Sequence, residues 1–202
     1  MPHVGELILL AAPSCCGKSY FLEQLHEGRL QHLVQRMALD EPIHSYVSVI
    51  PKELQDYRGS YVPRMILHFA IPTIALVDGS LTSLEDEPRL DVVKSAERVT
   101  VITLLASADV LASRLRSRQR SNRRMIFRNI AKYRSERRKM ARLAQIYAVP
   151  EDVVVAYEAW FQYVDSLANA KTSWIVTAQR DYEAFESNEW ELLRSIHFAR
   201  ST

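Results

Sequence analysis

The chain has 202 residues, 48% of them hydrophobic and 25% charged, with a net charge of +2, which is enough for one well-buried domain over 1–202 and short for two. No apolar stretch approaches the roughly 20 residues that cross a bilayer, and the first residues lack a basic region followed by a long apolar core, so no membrane partner and no secretory signal are expected and the location is read as cytoplasmic. The two cysteines, Cys15 and Cys16, are adjacent, without the spacing of a disulfide framework or a metal site.

Residues 7–12 are an apolar run that reads as a buried first strand, and 18 to about 37 read as the first helix, with Phe21, Leu22, Leu25, Leu30, Leu33 and Val34 near helical spacing. The β-rich stretch 43–50, bounded by Pro42 and Pro51, is expected as the second strand, and the polar stretch 52–63 as a loop. Residues 65–77 are apolar around Pro72, so they hold at least one strand, and the proline marks a break or an end. Either Thr73–Val77, closed by Asp78, or 65–71 is the third strand. A helix is expected over 84–97. The β-branched run 98–105 suits a parallel strand buried on both faces. Residues 108 to about 147 lack proline and glycine and are expected to divide into two helices. A further helix over 151–170 places Val153, Val154, Tyr157, Trp160, Phe161, Val164 and Leu167 on one side. A last short strand over 173–177 and a closing helix over 182–198 complete an α/β chain with a mainly parallel sheet.

The chemistry concentrates between the first strand and the first helix. Residues 12–19 read Ala-Pro-Ser-Cys-Cys-Gly-Lys-Ser, a small-residue loop whose backbone N–H groups, aimed by the first turn of a helix, can cradle phosphates. Lys18 reaches toward the β and γ oxygens, the Ser19 hydroxyl toward Mg²⁺, and Gly17 keeps Cβ atoms out of the approach. A lysine and a helix N-terminus could make one of the two thiols unusually acidic. If Thr73–Val77 is a strand, Asp78 stands at the carboxyl edge of the sheet, to coordinate Mg²⁺ through water or to accept the substrate hydroxyl proton; if 65–71 is the strand, His68 or a residue near Pro72 occupies that edge. His68 itself is read as a packed strand histidine. Asp40 and Glu53, flanking the second strand, are weaker candidates for a substrate-side base, and Tyr57, Arg58 and Tyr61 for acceptor binding.

The 12–19 pattern resembles the Walker A motif of P-loop nucleotide hydrolases and kinases, with Ala12 where the first glycine is usual. The layout is most similar to the nucleoside and nucleotide kinase group: the loop lies within the first twenty residues, the strands fit a five-stranded core, and an arginine-rich segment follows the fourth strand. Residues 107–118 resemble the start of a kinase lid. The resemblance implies a three-layer P-loop kinase-like fold, a mainly parallel five-stranded sheet flanked by helices, with an arginine-rich helical lid or insertion over about 108–171. It implies ATP or GTP with Mg²⁺, residues Ala12, Pro13, Ser14, Cys15, Cys16, Gly17, Lys18, Ser19 and Tyr20 around the nucleotide, and Ser19 with Asp78 at the metal. Lys18, Asp78, Arg114 and Arg118 would carry transfer of the γ-phosphoryl group to a small acceptor: a nucleotide, a sugar or another hydroxyl compound. Arg114 and Arg118 are four apart and share a helix face, and either could neutralise the transferring phosphoryl group.

Two other readings stand beside this one. A P-loop sulfotransferase-like enzyme is disfavoured by the complete Gly-Lys-Ser ending. A nucleotide-gated binding protein is suggested by the charge distribution, because 114–142 holds thirteen basic residues against Glu136 alone, a net +12 that leaves −10 on the rest. Its second part, 120–142, can bind nucleic acid, with Phe127 and Tyr133 available to stack on bases, or it can be a solvated helix face.

Overall fold

Ten consecutive residues, His3–Ala12, form β1, and all but His3 are buried, as expected where helices cover both faces of a strand; the one buried charge in it, Glu6, faces Arg64 and Arg98. The computed structural model describes residues 1–39, 41–122, 130–178 and 182–198, with side chains at all of these except 121–122, 130–133 and 171. The other strands are β2 (Val47–Val49), β3 (Tyr61–Ala70), β4 (Ala96–Leu105), β5 (Ala170–Thr177) and β6 (Ala184–Glu186). They form one six-stranded sheet in the order β2-β3-β1-β4-β5-β6. Pairing is parallel throughout except for β6, which runs antiparallel to β5. The carboxyl ends of five strands, at Ala12, Val49, Ala70, Leu105 and Thr177, therefore share one edge, and the loops that leave that edge are where α/β proteins build sites.

Eight α-helices flank the sheet among the described residues: α1 (Lys18–His26), α2 (Gln31–Arg36), α3 (Thr73–Val77), α4 (Asp91–Lys94), α5 (Ala108–Asn122), α6 (Ile130–Ile146), α7 (Pro150–Asp165) and α8 (Trp190–Phe198). One hydrophobic cluster runs from Val4 to Leu193. At its centre Trp160 of α7 is fully buried, stacks on Phe69 of β3 at 5.5 Å and donates from Nε1 to Thr103 Oγ1 of β4 at 2.8 Å. The indole thus fills the core and satisfies its one donor at the same time. Among the described residues no helix is long and apolar enough to cross a membrane.

The α/β reading and the parallel core hold, and the differences have local causes. The helix expected over 18–37 breaks at Gly28, which adopts φ +72°, a conformation glycine takes without the penalty a Cβ imposes. The second strand shrinks to three residues because 43–45 form a 3₁₀ turn. Residues 84–97 give two 3₁₀ turns and the four-residue α4 instead of one helix, and β4 already begins at Ala96. The sheet gains β6 over part of the segment expected as a closing helix, which leaves α8 only its second half. The expected insertion over 108–171 also divides, because α7 is core: Val153, Ala156, Tyr157 and Trp160 are fully buried.

The largest correction concerns residues 65–78. The third strand is β3, ending at Ala70, and Thr73–Val77 is the helix α3. Pro72 stands just before the first residue of α3, where its missing N–H and fixed φ suit a helix start. Asp78 is consequently the C-cap of a helix, not the end of a strand.

Candidate functional site

The loop between β1 and α1 leaves the sheet at its centre, between β3 and β4. Ala12 is still part of β1, so the position where a glycine is usual needs no left-handed backbone here. The left-handed residues are Cys15 (φ 71°) and Gly17 (φ 102°). Placing a cysteine there costs of order 1 kcal/mol, and alternation of this kind turns successive N–H groups toward one concave side. Gly17 is the N-cap of α1, and no side chain caps the helix. The first amides of α1 have no partner within the helix, so the loop and the helix terminus together present donors to an anion.

Three cations converge on this loop. The Lys18 ammonium donates to the Ala12 carbonyl at 3.0 Å, and burial, reinforced by the positive Arg118 and Lys139, lowers its pKa to about 8. Arg114, on α5, donates from Nη1 to the Cys16 carbonyl and from Nη2 to the Ala178 carbonyl at 2.7 Å, tying the loop to the chain just after β5. A Cβ on Gly17 would stand 3.2 Å from that guanidinium. Arg118, one turn further along α5, lies 3.9 Å from Cys15 Sγ. The expected pair therefore does arrive at the loop, with unequal roles: two backbone carbonyls engage Arg114, whereas exposed Arg118 meets the loop at the Cys15 sulfur.

The two thiols differ as well. Cys16 is buried, donates weakly to the Leu104 carbonyl at 3.5 Å, and is pushed up to about 11 by burial despite nearby Lys18 and Arg114; it is not an acidic thiol. Cys15 is half-buried. Iodoacetamide at neutral pH is expected to label Cys15 and leave Cys16 untouched until the chain unfolds, because only a thiolate reacts and an accessible path is needed. Mass mapping of the labelled peptide checks this; labelling of Cys16 in folded protein would contradict it.

Further residues at the loop left no local signal in the sequence. Tyr147, just past α6, donates its hydroxyl to the Ser14 carbonyl at 2.8 Å, although its apolar surroundings read only as core. Beside α1, a cavity of about 730 Å³ is lined by Tyr20, Gln24, Leu30, Arg114, Ala178 and Tyr182 among others, within the range that holds a small organic ligand. Ser19 and Tyr20 are exposed at the start of α1.

Asp78 does not join them. Its carboxylate pairs with Arg142 of α6, which holds it below the usual carboxylate range. Among the described residues no group of three or more His, Cys, Asp or Glu side chains could hold a metal ion. Tyr61 starts β3 at the opposite edge of the sheet and meets His3 there. The 3₁₀ segment Pro51–Tyr57 carries the chain back across the sheet, so Arg58 and Tyr61 stand away from the loop. Glu53, at the beginning of that segment, stays near the carboxyl edge and accepts from the Ile50 N–H at 3.1 Å. Asp40 and Phe127 lie outside the described residues, as does the side chain of Tyr133. Arg120, Arg134, Arg137, Arg138 and Lys139 are exposed.

A comparison with protein-family models gives no match, and neither does a comparison with curated proteins.

Proposed function

We propose that the protein is an ATP- or GTP-dependent phosphotransferase of P-loop kinase type, moving the γ-phosphoryl group to a small acceptor. The observation that carries this reading is the loop itself: an uncapped helix N-terminus and a left-handed turn at the carboxyl end of the central parallel strand, with Lys18, Arg114 and Arg118 gathered on it. Donors and cations in that arrangement suit a polyphosphate, and preorganised positive charge is what phosphoryl transfer chiefly needs. The cavity beside α1, with Tyr20 and Tyr182 on its wall, supports a nucleoside attached to those phosphates. Mg²⁺ ordinarily keeps several waters and binds through one or two protein oxygens plus substrate phosphates. The exposed Ser19 hydroxyl fits that role, and Asp78, committed to Arg142, does not.

Turnover tests the reading. Incubation with Mg·ATP or Mg·GTP and a panel of acceptors should give one nucleoside diphosphate per phosphorylated product, seen by mass detection. Slow hydrolysis that no acceptor stimulates would favour a nucleotide-gated binding protein, and absence of both binding and hydrolysis would overturn the assignment.

A further inference from the structure

His68 lies on β3 opposite Leu10 of β1, two residues before the strand reaches the functional edge. Side chains alternate along a strand, and the next residue, Phe69, is stacked under Trp160 of α7, so His68 points to the other face of the sheet. The charges that it feels there belong to Lys18 and His26, at the two ends of α1, and to Glu53. Ser48 of β2 shares that face, and its Oγ lies 2.6 Å from His68 Nε2. A half-buried imidazole, oriented by a hydroxyl and carried toward the carboxyl edge on the strand beside β1, has the chemistry of a base.

We propose that His68 is the base that takes the proton from a neutral hydroxyl acceptor, and that the acceptor is an alcohol of a nucleoside, sugar or similar compound rather than a phosphate group. This rests on the phosphotransferase reading above. A phosphate acceptor has no proton that must be removed and calls for arginine forks, whereas the group that β3 carries toward this edge is an imidazole held by the Ser48 hydroxyl. An alcohol must lose its proton as it attacks. In the proposed step His68 Nε2–H donates to Ser48 Oγ, which leaves the Nδ1 lone pair for the acceptor. The acceptor oxygen bonds to the γ-phosphorus, the bond from that phosphorus to the bridging oxygen breaks with its electron pair going to the nucleoside diphosphate, and the hydroxyl proton passes to Nδ1. Glu53 stabilises the imidazolium that results. Desolvation and Lys18 keep the resting imidazole below its ordinary pKa, so it is neutral, and competent as a base, at pH 7.

The test compares wild type with His68→Gln and His68→Asn on two acceptor sets, neutral compounds (adenosine, cytidine, thymidine, glucose, glycerol) and monophosphates (AMP, CMP, UMP), and on water, the acceptor of basal hydrolysis. Expected are phosphorylated products from the neutral set, a loss of about 10²- to 10⁴-fold in kcat in both variants, Mg·ATP affinity within threefold of wild type, and a rate that rises with pH through the imidazole titration in wild type but not in the variants. Products from monophosphates alone, or variants that keep transfer and hydrolysis within threefold, overturn the proposal and leave the phosphotransferase standing. Wild type that neither binds nor consumes Mg·ATP removes the underlying reading instead.

Discussion

Replacing Lys18 with alanine is expected to lower nucleotide turnover by at least 10²-fold while the fold persists. In the resting chain the ammonium makes one hydrogen bond, to the Ala12 carbonyl, worth about 0.5–1.5 kcal/mol. Against that loss stands relief from holding a charge in a poorly solvated place, the cause of its lowered pKa. The two effects nearly offset, so stability should change little. On the proposed phosphotransferase reading, the ammonium's value lies in what it would meet when a polyphosphate enters the loop, where removing a preorganised charge costs about two to three orders of magnitude. Steady-state diphosphate release and a thermal melt followed by circular dichroism separate the two quantities. Unchanged turnover in a folded variant would remove Lys18 from the chemistry.

Arg118→Ala and Arg114→Ala are expected to fail in different ways, although the sequence presents them as equivalent. Arg118 is exposed and its contact with Cys15 Sγ is long, so its loss should leave the melting temperature in place. A lid arginine acts on the charge of the transferring group, and such residues are worth about 10³–10⁵ in rate; kcat should fall by at least 10²-fold with nucleotide affinity nearly unchanged. Arg114 bridges the Cys16 and Ala178 carbonyls, and its loss leaves both without a charged donor. Hydrogen bonds to a charged group contribute about 1.5–3 kcal/mol each when buried and less at a partly exposed site. That variant should melt lower and lose nucleotide affinity and kcat together, since the loop and the post-β5 chain no longer hold each other. A pair of variants with the same profile would contradict this division of roles.

The strand, loop and helix at the start of the chain were legible because they are local: the apolar strand, the small-residue turn, Gly17-Lys18-Ser19 and the helix are consecutive, and each needs only its neighbours. The strands β1 and β4 were legible for a similar reason, as long apolar runs have few ways to be buried. Asp78 was misplaced because the five residues Thr73–Val77, four of them apolar, fit a buried strand or a short helix equally well, and periodicity cannot decide over so short a run. Tyr61 was assigned to the wrong edge because nothing in 52–60 announces that a 3₁₀ segment will carry the chain back across the sheet. β6 escaped because a three-residue edge strand carries too little pattern to register. The distinction between Arg114 and Arg118 depends on Ala178, 64 residues away from Arg114, and the Ser48–His68 pair on the register of two strands. Both are tertiary facts with no echo in local composition.

Calorimetric titration of Mg·ATP into the wild-type chain and into Lys18→Ala tests the central claim, that the 12–19 loop holds nucleotide phosphates, most directly. One site with a dissociation constant in the micromolar to millimolar range that substrates commonly show, lost in Lys18→Ala, is the expected result. Absence of binding in wild type, or equal binding in the two proteins, would contradict it.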